Sequence, residues 1–157
     1  MATPQTQRKE PALINYDDKY VFATGHTNTV QMYSIAKDTW EDTHLMHEER
    51  TRHSGCCLDG KIYVSCGYSG NLKVVLNSIE VFNAKQYVSV GDNERVSALA
   101  NVRWQLINLD AGEIKPRYCH LITSIGSDKL VILGGKNLQA DRYGDAAVLW
   151  LRFQQDN

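Results

Sequence analysis

The sequence predicts an all-β chain in which one antiparallel unit is repeated about three times. Three observations carry this. A short strand rich in β-branched and aromatic residues recurs from Lys19 to Gly25, from Lys61 to Gly67 and from Lys129 to Gly135. Each copy follows acidic or glycine turn residues, Asp17-Asp18, Asp59-Gly60 and Ser127-Asp128, and such residues before a strand-forming run open a hairpin. No segment sustains a helical apolar period over three turns.

The other elements of each unit come in the same order. Arg50-x-x-His53 and Arg117-x-x-His120 head the second and third units. After the glycine-ended strand comes a polar loop and then another strand: Val30 to Tyr33, Ser78 to Phe82, and Ala146 to Trp150. A tryptophan strand closes two of the units, at Trp40 and at Trp104 to Ile107. The stretch 84–102 reads as a surface insertion in the second unit. Tyr87 to Val90 is strand-like and Gly91-Asp92 is a turn, so an elongated hairpin is expected there. The third unit ends without a tryptophan strand of its own.

Composition narrows the functional classes. The chain has 157 residues, 43% hydrophobic and 22% charged, the profile of one globular domain. A formal charge of −1 gives no basic face for nucleic acid. No apolar run reaches the roughly 18 residues that span a bilayer, and the first residues lack the apolar core of a secretory signal. The 4 cysteines include the adjacent pair Cys56-Cys57, whose side chains on a strand point to opposite faces. A reducing, cytoplasmic setting is therefore expected. The 5 histidines show no zinc-type spacing with cysteine. His53 and His120 hold equivalent repeat positions, which indicates packing. No cofactor, metal ligand or catalytic set stands out from the repeat pattern.

This order of elements resembles the kelch repeat. The second unit carries Met46, Arg50, Asp59-Gly60-Lys61-Ile62-Tyr63-Val64, Gly67 and Ser78-Ile79-Glu80-Val81-Phe82-Asn83. The first supplies Met32-Tyr33 and Asp38-Thr39-Trp40, and the third supplies the full Gly134-Gly135 pair. The other units show Gly25-His26 and Gly67-Tyr68 at that place, or Cys66-Gly67 in a neighbouring frame. The resemblance implies a partial kelch-type β-propeller: a tail at 1–10, then a repeat region at 11–157. Its three blades cover roughly 11–49, 50–110 and 111–157, with the last one incomplete. Closed propellers use roughly four to eight blades, so open faces and self-association are expected. Trp40, Trp104, Tyr33, Phe82, Tyr63 and Val131 should fill the space between blades.

The resemblance also implies a function. Kelch units usually form protein-binding modules that act as scaffolds or substrate adaptors. Their binding face is lined by the one or two residues after the motif arginine and by those just after the glycine pair. In this chain these are Thr51 and Arg52, Tyr118 and Cys119, and His26, Tyr68 and Lys136. A protein or peptide is the expected partner, with neither nucleic acid nor membrane. The rival class is a kelch-like oxidase, sugar epimerase or carbohydrate-binding domain.

Overall fold

The computed structural model describes residues 2–4, 6–90, 101–107, 114–139 and 142–150. These form three antiparallel sheets of four, four and three strands. The first contains β1 (Ala12–Tyr16), β2 (Tyr20–Gly25), β3 (Thr27–Ser34) and β4 (Thr39–Asp42). The second contains β5 (Ser54–Leu58), β6 (Lys61–Ser69), β7 (Val74–Phe82) and β8 (Gln105–Ile107). The third contains β9 (Leu121–Ile125), β10 (Lys129–Leu133) and β11 (Ala146–Trp150). Each sheet is a meander. The first strands β1, β5 and β9 lie beside one another in succession, so the sheets radiate like propeller blades from an inner edge.

Two apolar cores hold the blades together, and the strand alternation assigns residues to each. In β6, Ile62 and Val64 enter the core shared with the first blade, while Tyr63 faces the third. The register shifts between Ser65 and Gly67, and this bulge turns Cys66 towards the third blade as well. The first core joins Ile14, Phe22 and Met32 to Ile62, Val64, Phe82 and Trp104. The second joins Leu58, Tyr63 and Ile79 to Ile122, Leu130, Ile132 and Leu149. Met46 and Ile114, from the segments that lead into the second and third blades, are buried in these two seams.

Register separates residues that look alike in sequence. Tyr33 pairs with Val21 and Trp40, and Phe82 pairs with Ile62. The Tyr33–Trp40 rings, with centroids 5.2 Å apart, thus repeat the Phe82–Trp104 stack at 5.2 Å. Only the second pair lies between described blades. Tyr33 and Trp40 sit on the outward face of the first blade, because Phe22 and Met32 on the opposite face meet the second blade. Val131 likewise points away from the second core, since its neighbours Leu130 and Ile132 point into it. These three residues do not pack between the described blades as the repeat pattern led one to expect. Trp40 is half-buried, and its indole N–H donates to the Ala2 carbonyl. Trp40→Ala should therefore cost about 1–2 kcal/mol in urea unfolding. A loss above about 3 kcal/mol would place Trp40 in a core that the structure does not show.

The segment after Phe82 also departs from expectation. Residues Ala84–Ser89 form a helix, α1, instead of one arm of a hairpin. Asn83 caps it, its side chain accepting from the Gln86 amide at 2.9 Å. Helical spacing puts Ala84 and Tyr87 on one face, and both are buried against the first core. Tyr87 lies 5.2 Å from the Phe82 ring. Burial of this face outweighs the strand propensity of Tyr87 to Val90, so the start of the insertion belongs to the core and not to the surface. The expected Gly91-Asp92 turn lies outside the described residues.

Candidate functional site

A pair of consecutive residues with positive φ lies at or near the end of the second strand of every blade. The pairs are Gly25-His26 (120° and 75°), Cys66-Gly67 (52° and 100°) and Gly134-Gly135 (70° and 97°). The second unit is therefore framed on Cys66-Gly67, not on Gly67-Tyr68. At Gly67 a side chain is excluded twice over: φ is in the left-handed region, and a Cβ would come within 2.8 Å of the His53 Cβ.

An arginine secures each pair, buried in the second and third units and half-buried in the first. The Arg50 guanidinium donates to the Cys66 carbonyl at 2.8 Å, and that of Arg117 donates to the Gly134 carbonyl at 2.8 Å. Arg8 does the same for the Gly25 carbonyl at 3.2 Å and also reaches the Thr29 carbonyl. The separations are 17 residues in the first unit, 16 in the second and 17 in the third. Arg8 is thus the head of the first unit, and Arg8 and Glu10, expected to lie in a tail, contact the first and second blades. Sequence reading missed it because the histidine three residues on is replaced by Pro11.

Arg50 is fully buried and has an acidic partner of its own. Its guanidinium lies 2.7 Å from the Glu80 carboxylate, which is also completely buried. Glu80 further accepts from the His47 and Glu48 backbone amides. Arg117 pairs instead with Asp145 at 3.1 Å and lies 4.8 Å from the Tyr143 ring centroid. This chemistry is structural, and it accounts for all three arginines.

The histidines of the motif bolt neighbouring blades together. His53 Nε2 shares a 2.8 Å hydrogen bond with Thr24 of the first blade. His120 Nε2 shares a 2.7 Å bond with Ser65 of the second. Thr24 and Ser65 both stand immediately before the positive-φ pair. Burial pushes the His53 imidazole down to about 3, helped by Arg50, His120 and Arg8. Burial, with Arg117 and Arg50, lowers His120 to about 4. Both rings are therefore neutral at neutral pH.

The expected binding residues surround these locks. Thr51 and Tyr68 exchange both backbone hydrogen bonds at 2.9 Å. Tyr118 and Lys136 do the same at 3.1 and 3.0 Å. These four are thus brought together two by two. His26 is not their equivalent: it takes the second place of the positive-φ pair, and Thr27 stands where Tyr68 and Lys136 stand. The residue two after each motif arginine is left-handed, with φ of 51° at Glu10, 55° at Arg52 and 56° at Cys119.

These turns form one rim at the inner end of the blades. Glu10 and Arg52 make a two-oxygen ion pair at 3.0 and 2.9 Å. Arg52 also lies 5.7 Å from the Tyr118 ring centroid, and Lys136 lies 5.2 Å from the same ring. The Cys119 amide donates to the Arg52 carbonyl at 2.8 Å. Glu10, Arg52, Tyr118 and Lys136 therefore make a continuous charged and aromatic strip across all three blades. Among the described residues, no group of three or more His, Cys, Asp or Glu is placed to hold a metal ion.

The kelch motif model matches residues 49–88, the span that carries Arg50, the positive-φ pair, Glu80 and Phe82. The second blade therefore carries a kelch motif. The matched kelch unit is the second blade, and the blades on either side repeat its arginine and its positive-φ pair. No curated protein matches the chain. No helix among the described residues is long and apolar enough to cross a membrane.

Proposed function

We propose that this kelch chain is a non-enzymatic protein-binding module whose contact surface is the rim of Glu10, Arg52, Tyr118 and Lys136. The observation that carries the proposal is the placement of the four: three blades contribute to one strip, on turns two residues after the arginines that hold the positive-φ pairs. Loops on a rigid scaffold are where binding residues concentrate. Thr51 and Tyr68 extend the strip along the second blade, and His26 adds an exposed edge on the first. Arg52 is 44% exposed at its side chain and already grips a carboxylate, so a partner's acidic side chain can exchange with Glu10 at little cost. The Tyr118 ring is buried beneath Arg52 and Lys136 and holds the two cations side by side. The four cysteines carry no disulfide and suit a cytoplasmic setting.

Selection from a displayed random-peptide library tests this. Enriched peptides should bind the native chain and lose at least tenfold in affinity for the Arg52→Ala, Tyr118→Ala double variant. The same peptides should keep their affinity for Leu72→Ala, which changes an exposed side chain in the loop before β7. Peptides indifferent to the double variant would exclude the rim as the binding surface. Turnover in a glycosidase, epimerase and oxidase panel would favour the enzyme class instead.

A further inference from the structure

We propose that the outward face of the third blade docks the first blade of a second copy of this chain. The contact would repeat, between two copies, the junction that joins neighbouring blades within the chain.

The face itself is apolar and open. Leu121, Ile125, Leu133 and Val148 are exposed by 69, 52, 54 and 51%, with half-buried Val131 among them. Single exposed apolar residues are ordinary, but contiguous ones on one sheet face mark an association surface. At each junction within the chain, the corresponding face is covered by the next blade, and two bonds recur there. The first is the histidine–hydroxyl lock, His53 with Thr24 and His120 with Ser65. The second runs from the second residue of the positive-φ pair to the next motif arginine. His26 N–H donates to the Arg50 carbonyl at 3.0 Å, and Gly67 N–H donates to the Arg117 carbonyl at 2.9 Å.

The two outer faces depart from this pattern together. On the third blade, the hydroxyl position before Gly134 is taken by Leu133. On the first blade, the histidine position after Arg8 is taken by Pro11. A histidine facing Leu133 would lose its buried hydrogen-bond partner, and a hydroxyl facing Pro11 would lose its own. Leu133 against Pro11 leaves neither orphaned. The second bond can form unchanged, from the Gly135 amide to the Arg8 carbonyl of the other copy. The first blade therefore carries the residues that the third blade's face accepts.

Sedimentation velocity on the full chain tests the inference. The expected result is a species of twice 17.7 kDa at tens of micromolar. Leu133→Asp should raise the dissociation constant at least tenfold. Because Leu133 is exposed in the single chain, that variant should keep the native circular dichroism and urea midpoint. A second measurement fixes the geometry: a Leu133→Cys chain mixed with a Pro11→Cys chain, both carrying Cys119→Ser, is treated with a short bis-maleimide. Cross-links should join the two variants. A monomer at tens of micromolar, a dimer indifferent to Leu133→Asp, or cross-links that join only two Leu133→Cys chains would each overturn the proposal.

Discussion

Replacing Arg50 by Ala should destabilise the chain by about 3–5 kcal/mol, the cost of leaving a buried charge without its partner. Glu80 has no exposed side-chain surface, and Arg50 is its cationic neighbour at 2.7 Å. Removing the guanidinium also takes the donor from the Cys66 carbonyl, on which the positive-φ pair of the second blade depends. Lysine should not rescue. One guanidinium nitrogen serves the Cys66 and Ser78 carbonyls while another serves Glu80 and Glu48, and an ammonium lacks that fork. The double variant Arg50→Met, Glu80→Met should recover much of the loss, because it removes both charges and fills the space. Urea midpoints of the single and double variants decide this. If Arg50→Ala loses less than about 1 kcal/mol, the pair is not the anchor described above.

The blade count and most strand positions were legible because period-2 alternation and turn residues act locally. Lys61 to Val64 after Asp59-Gly60 could hardly form anything else. Helix α1 was not legible, since Tyr87 to Val90 has strand propensity and only burial against Phe82 and Trp104 overrides it. The first unit was misaligned by one residue. Its turn between β1 and β2 is longer, with Tyr16 opposite Tyr20 where Leu58 is opposite Lys61. Aligning the lysines of the two units therefore put Tyr20 against Ile62, whereas the sheet puts Val21 there. The same slip hid the equivalence of Thr27 with Tyr68 and Lys136. Arg8 was hidden for a different reason: Pro11 stands where the motif histidine would be, and the role of Arg8 rests on a carbonyl 17 residues away. Arg52 and Tyr118 were found through the repeat pattern, but their partner Glu10 was not, because ion pairs between blades leave no periodic trace.

Acid should unfold this chain well before its carboxylates are protonated. The folded state holds His53 at about 3 and His120 at about 4, while an unfolded histidine titrates near 6.5. A lowered folded pKa means that the unfolded chain binds more protons as the pH falls. The stability these rings allow is fully present above pH 6.5 and is lost as the pH falls towards 4 and then 3. Each ring contributes about 1.4 kcal/mol per pH unit below 6.5, so the two together should remove roughly 3–4 kcal/mol by pH 5. That is a large share of the usual stability of a domain. Protonation would also place new cations beside Arg50 and Arg117 in the blade seams. Urea unfolding at pH 7.5, 6.5, 5.5 and 5.0 should show the midpoint falling through this range. The double variant His53→Gln, His120→Gln should be less stable at pH 7.5 yet have a much flatter profile. An unchanged slope in that variant would assign the acid sensitivity to groups other than the two inter-blade histidines.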